Sequence, residues 1–202
     1  MAFDQNVFVN CPFDNQYRKL LRPLLFTISY LGLTPRIALE AMDSGKVRID
    51  RIVDLVRESK YAIHDLSRLQ AEKAGEYARL NMPFELGLDL GARYFGQKLS
   101  DKKCLVLEAQ PYRYQAAISD LSGSDILHHN NEPARVVVAV RDWLNNVCNL
   151  NAPGSQKIWT DFNIFMSDLT IDLQARGFSK KDVNNLQVSE LVQHIIGWVA
   201  AK

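Results

Sequence analysis

The sequence predicts an α/β fold: a parallel sheet flanked by helices, with a small helical appendage behind it. Short β-rich runs alternate with segments of helical period as far as about residue 147. Glycine or proline stands at several of the changeovers, and a linker rich in Asn, Pro and Gly (149–155) separates this part from a purely helical remainder. Such alternation implies right-handed crossovers and a parallel sheet, with a ligand crevice at the carboxyl ends of the strands. The expected units are residues 1–149 and 150–202.

Val7-Phe8-Val9 reads as the first strand and ends in Asn10-Cys11-Pro12-Phe13-Asp14. The segment from Gln16 to Leu31 then carries Tyr17, Leu20, Leu21, Leu24, Leu25 and Ile28 at helical spacing, and Gly32 stops it. Leu33 to Leu39 reads as a second strand, Met42-Asp43-Ser44-Gly45 as a loop, and Lys46 to Ser59 as a helix with Ile49, Ile52, Val53 and Val56 on one face. Tyr61 to Asp65 is the third strand and Cys104 to Glu108 the fourth, with a helix between them starting near Asn81. Residues 110–131 read as a polar, aromatic loop placed to cover the rim, followed by a helix from Pro133. The appendage is expected to hold three helices, with Trp159, Phe162, Phe165, Leu169 and Leu173 on one face and Leu191, Ile195, Trp198 and Val199 on another. These aromatic faces are candidates for a partner or a self-interface, and hence for a homo-oligomer.

Composition narrows the function. Lys plus Arg 24 against Asp plus Glu 23 argues against broad nucleic-acid binding or an anionic membrane surface. No run approaches a membrane span, and a strand-like run from Asn6 leaves no room for a signal peptide, so a cytoplasmic protein is expected. The three cysteines, Cys11, Cys104 and Cys148, are scattered and fit neither a disulfide frame nor a zinc site. Neither a dinucleotide fingerprint nor a phosphate loop occurs. His128-His129, adjacent in sequence, cannot present a common face to a metal. Cys11 ends a strand with no histidine placed near it by sequence, so a buried free thiol is its plain reading.

The stretch Asn81-Met82-Pro83-Phe84-Glu85-Leu86-Gly87-Leu88-Asp89-Leu90-Gly91 organises what remains. Pro83 suits a first helical position, Asn81 suits a cap, and Glu85 then falls in the first turn, where the helix dipole favours an ionised carboxylate by about 0.3 to 1 kcal/mol. Glu85, Asp89 and Arg93 form a seam at four-residue spacing, expected to be the exposed edge of a mostly buried helix. Gly87 and Gly91 suggest close approach to the sheet. The ordinary explanation of Glu85 is helix stability, and that of Asp65-Leu66-Ser67 is an Asx turn leaving a strand. The alternative is a pair of carboxylates on one rim, Glu85 and Asp65, dividing nucleophilic and acid or orienting roles.

These residues resemble a known group. The Val7-Phe8-Val9 strand with its following Pro-Phe, the run to Ala62-Ile63-His64-Asp65-Leu66-Ser67, and the Phe84-Glu85-Leu86-Gly87 phrase resemble nucleoside 2-deoxyribosyltransferases and, more loosely, TIR domains, over roughly residues 6–110. The resemblance implies a flavodoxin-like sheet and a helix-borne glutamate, Glu85, acting at the anomeric carbon of a nucleoside or nucleotide, with Asp65 as the strand-end aspartate. Asn10, Pro12, Phe13, Asp43, Ser67, Asn81, Asp89 and Tyr112 are then the expected substrate-binding positions. No metal and no resident cofactor is expected; NAD or another nucleotide would enter as substrate. The acid these transferases carry shortly before the glutamate is missing, for this chain has Arg79, Leu80 and Asn81 there. Transfer and hydrolysis therefore both stay open, as does a non-catalytic nucleotide sensor or TIR-like assembly module in a signalling or defence system.

Overall fold

The computed structural model describes residues 3–38, 45, 47–71 and 78–202. Its centre is a five-stranded, wholly parallel sheet in the order β2-β1-β3-β4-β5, the flavodoxin-like order. The strands are β1 (Asn6–Asn10), β2 (Thr34–Ile37), β3 (Tyr61–Asp65), β4 (Lys103–Glu108) and β5 (Leu127–His128). Every residue of β1 and β3 is buried, as expected of central strands covered on both faces. The fifth strand, two residues inside the expected 110–131 loop, pairs Leu127 with Leu107 and His128 with Glu108.

Alternation along the strands divides the core. Val7, Val9, Tyr61, Ile63, Leu105 and Leu107 face α1 (Arg18–Tyr30) and α4 (Pro133–Val147). Phe8 and Ala62 face the other way, onto Ile52, Leu55 and Val56 of α2 (Arg48–Glu58). Beside α2 lies α3 (Asn81–Phe95).

A third layer covers α1 and α4. It comprises α5 (Ser155–Ala175), α6 (Lys180–Asn184) and α7 (Val188–Ala200), and its apolar core is continuous with that of α1. Helix α1 is sandwiched between this layer and the sheet, which is why Leu20, Leu21, Leu24, Leu25, Phe26 and Ile28 are all buried around its circumference. Phe26 meets Phe162, Phe165 and Trp198 at ring-centroid distances of 5.5, 5.5 and 5.8 Å. The aromatic faces of the C-terminal helices are thus largely used within the chain. Ser179 opens α6 with a reciprocal capping box to Asp182. Among the described residues no helix is long and apolar enough to cross a membrane.

Candidate functional site

In this topology the strand order reverses between β1 and β3, the switch point at whose strand carboxyl ends parallel α/β sheets generally hold their ligands. Asn10 and His64 are register partners there. The Asn10 amide donates to the Met82 carbonyl at 2.8 Å, tying β1 to the first turn of α3, and lies 3.0 Å from His64 Nδ1. With Nδ1 accepting that bond, the His64 proton sits on Nε2, which lies 3.4 Å from Asp89 Oδ2 of α3.

Helix α3 is turned opposite to expectation. Its carboxylates face inward: Asp89 and Glu85 are buried, while Phe84, Tyr94 and Phe95 are exposed. A Cβ on Gly87 or Gly91 would meet nothing within 4 Å, so these glycines serve no close approach to the sheet. The reason for the inversion is Lys102, only 1% exposed, whose ammonium pairs with Asp89 Oδ1 at 3.0 Å. The same ammonium donates to the Val56 carbonyl at 2.8 Å and to the Ser59 carbonyl, at the C-terminal end of α2. Two hydrogen bonds to carbonyls and one ion pair thus meet at the ammonium, and the cation closes a helix end where the dipole favours it. Burial opposes the charge on Asp89, yet His64 and Lys102 hold its carboxyl below the usual range.

Glu85 stands differently. The helix begins at Asn81, with Leu80 as its cap, so Pro83 is the third residue and Glu85 opens the second turn rather than the first. Asn81 itself is exposed and makes no capping bond. Instead of a dipole-stabilised anion, Glu85 is a carboxyl only 5% exposed whose pKa is raised by burial, against the opposing pull of Arg48 and His64. Its one ion-pair partner among the described residues is Arg48, at 3.5 Å on the first turn of α2.

Asp65, by contrast, is saturated. Tyr17 OH donates to its Oδ2 at 2.6 Å and His129 Nε2 lies 3.0 Å from the same oxygen. Its Oδ1 accepts from the Ser67 amide at 2.9 Å, the Asx turn expected there, and from the Ser67 hydroxyl. The Asn131 amide donates to His129 Nδ1 at 3.0 Å, which leaves the His129 proton on Nε2, shared between Asp65 and the Ser67 oxygen. Burial alone would raise the Asp65 pKa, but these bonds keep it lowered. Following the alternation of β3, Asp65 points toward α1 while His64 points toward α3. No hydrogen bond or ion pair joins Asp65 to Glu85 among the described residues.

The remaining expected positions scatter. Pro12 and Ser67 are buried, and Asp43 lies outside the described residues. Phe13 lines a depression beside α7. Tyr112 is 74% exposed and holds φ of 61°, a left-handed backbone uncommon for a bulky residue. Next to it Arg113 grips buried Glu108 through two bonds, of 2.9 and 2.6 Å, and donates to the Ser67 carbonyl at 2.6 Å, joining the end of β4 to the β3 exit. Cys11 lies in the field of both Asp65 and Glu85; burial first, and then those charges, push its thiol well up, which keeps it protonated. Among the described residues no group of three His, Cys, Asp or Glu side chains is placed to hold a metal.

Sequence reasoning missed His64, Lys102 and His129. His64 had a signal, its place beside Asp65 at a strand end, whereas Lys102 sits in an Asp101-Lys102-Lys103 run that reads as solvated. The chain matches no family model, no curated protein and no solved structure.

Proposed function

We propose that the chain is an N-glycosidase or glycosyl-transfer enzyme acting on a nucleoside, a nucleotide or an NAD-type dinucleotide, with Glu85 as the catalytic carboxylate. The observation that carries the reading is an imbalance among the buried acids. Asp65, Asp89, Glu108 and Asp161 are each held by two or more partners. Glu85 has, among the described residues, a single guanidinium at 3.5 Å, and a pKa raised by burial. A desolvated, under-bonded carboxylate beside a switch-point crevice is a pattern associated with functional sites.

The chemistry suits such a group. Cleaving an N-glycosidic bond builds positive charge at the ribose carbon, and a carboxylate stripped of water stabilises that charge more in the transition state than in the ground state. Asp65 acts as a positioning residue in this reading, fixing the β3 exit from the opposite face. Tyr112, exposed on the β4 exit, is available to stack on a base. Incubation with NAD and with a panel of nucleosides is expected to release free base, and Glu85→Gln is expected to abolish release. An unchanged rate in that variant removes Glu85 from the role.

The outer face of α3 favours a second reading, a nucleotide-binding assembly module. Leu80, Phe84, Tyr94 and Phe95 are exposed along it, with open space over Gly87 and Gly91. Concentration-dependent elution that collapses to monomer in Phe84→Glu, without any base release by the wild type, is the result that selects this reading.

A further inference from the structure

Between the start of α1 and the start of α7 lies a depression of about 240 Å³, on the side of the sheet away from α3. Leu21, Leu186, Val188 and Leu191 form its apolar wall, and Arg18 and Arg22 stand in its lining. The two guanidiniums belong to one helix face, four residues apart.

Their bonding is lopsided. Arg18 Nη1 donates to the Asn184 carbonyl at 2.7 Å and to Asn185 Oδ1 at 3.0 Å. Arg22 Nη2 donates to the Val183 and Asn184 carbonyls at 2.9 and 3.1 Å. Each guanidinium thus spends one terminal nitrogen on neutral acceptors at the end of α6, while its Nε and other terminal nitrogen have no partner among the described residues. The carboxylates on the neighbouring elements are engaged elsewhere: Asp14 with Arg68, Asp182 with Ser179, Glu190 facing His194. Two like charges therefore stand side by side without a counter-ion among the described residues. Burial, and then the Arg18 charge, lower the Arg22 pKa.

Clamping α6 to α1 accounts for the nitrogens that are bonded. It accounts neither for a second cation at the same carbonyl nor for the free donors above an apolar wall. We propose that this depression binds a small amphipathic anion, a carboxylate or phosphate monoester carrying an apolar chain or ring. The charged group is forked by the free nitrogens of Arg18 and Arg22, and the apolar body rests on Leu21, Leu186, Val188 and Leu191. The backbone carbonyls hold the guanidiniums in place before the ligand arrives, which reduces the ordering cost of binding. The proposal is independent of the glutamate chemistry, because its readout is binding.

Calorimetric titration of the full chain tests it with sodium octanoate, octanol, phenyl phosphate and inorganic phosphate. The expected result is one saturable site for octanoate or phenyl phosphate, with octanol and inorganic phosphate each weaker by about tenfold or more. Preference for octanoate or for phenyl phosphate identifies the headgroup. Arg22→Gln is expected to weaken binding by about tenfold or more, with octanol unaffected. Because that variant also loses an α6 contact, Val188→Trp serves as a second probe: it fills the depression, keeps both arginines, and is expected to abolish octanoate binding in a chain of normal melting temperature. Silence toward every probe, octanol binding as tightly as octanoate, or a folded Val188→Trp that binds like the wild type overturns the proposal.

Discussion

Asp65 and Glu85 stand on opposite sides of the sheet, Asp65 bonded to Tyr17 of α1 and Glu85 paired with Arg48 of α2. The two acids are thus held by separate sets of partners. One is a saturated structural anion and the other an under-bonded carboxyl, and their substitutions should separate cleanly.

Replacing Glu85 by Gln should leave the fold intact and lower base release by about a hundredfold or more. The stability effect has a definite sign. Burial raises the Glu85 pKa, so the folded state disfavours the ionised form; its relative stability is full below the unfolded carboxyl pKa and falls as pH rises through the folded value. Glu85→Gln should accordingly melt higher than the wild type at pH 8, with the difference vanishing near pH 4. The acid limb of the activity profile should lie above the ordinary glutamate range.

Asp65 carries the reverse sign. Its lowered pKa contributes stability that is present at neutral pH and is lost as pH falls through the folded value, below the usual carboxylate range. Urea unfolding of Asp65→Ala at pH 7 should show a loss of about 3 kcal/mol, since His129, Ser67 and Tyr17 are left without their shared acceptor.

Lys102 offers a double-mutant cycle. Lys102→Met should cost about 3 to 5 kcal/mol by stranding Asp89 and the α2 carbonyls, and Asp89→Asn should be comparably damaging by stranding the ammonium. The double variant should lose less than the sum of the two, a coupling that urea unfolding of the four proteins measures directly.

At Tyr112 backbone and ring can be tested apart. Tyr112→Gly removes a left-handed backbone penalty and should stabilise the chain by about 1 kcal/mol, whereas Tyr112→Ala keeps the penalty. Both lose the ring, so both should raise the KM for the nucleoside equally. A KM change confined to one variant would show that the ring is not the contact.

Much of the fold was legible because its strands are short, apolar and separated by periodic helices; β1, β3 and β4 follow the pattern closely. The edge strand β5 was not, since Leu127 and His128 are too few to show a period. Helix α3 was misjudged for a physical reason. Amphipathic reasoning sends charges to water, but Asp89 finds His64 and Lys102 inside, partners brought from β3 and the approach to β4 by the fold alone. His129 was hidden in the same way, reaching Asp65 across 64 residues.

A helix seated on apolar surface can slip or roll a little at low cost, but α3 is keyed by an ion pair that has one mating position. Each inserted residue turns the following helix by about 100°. One residue added between Glu85 and Asp89 would therefore force a choice between the key and the carboxylate: if Asp89 stays seated, Glu85 swings away from Arg48. The spacing from Glu85 to Asp89 is thus an indexing distance, while between them Leu86 and Leu88 keep the helix on its apolar neighbours.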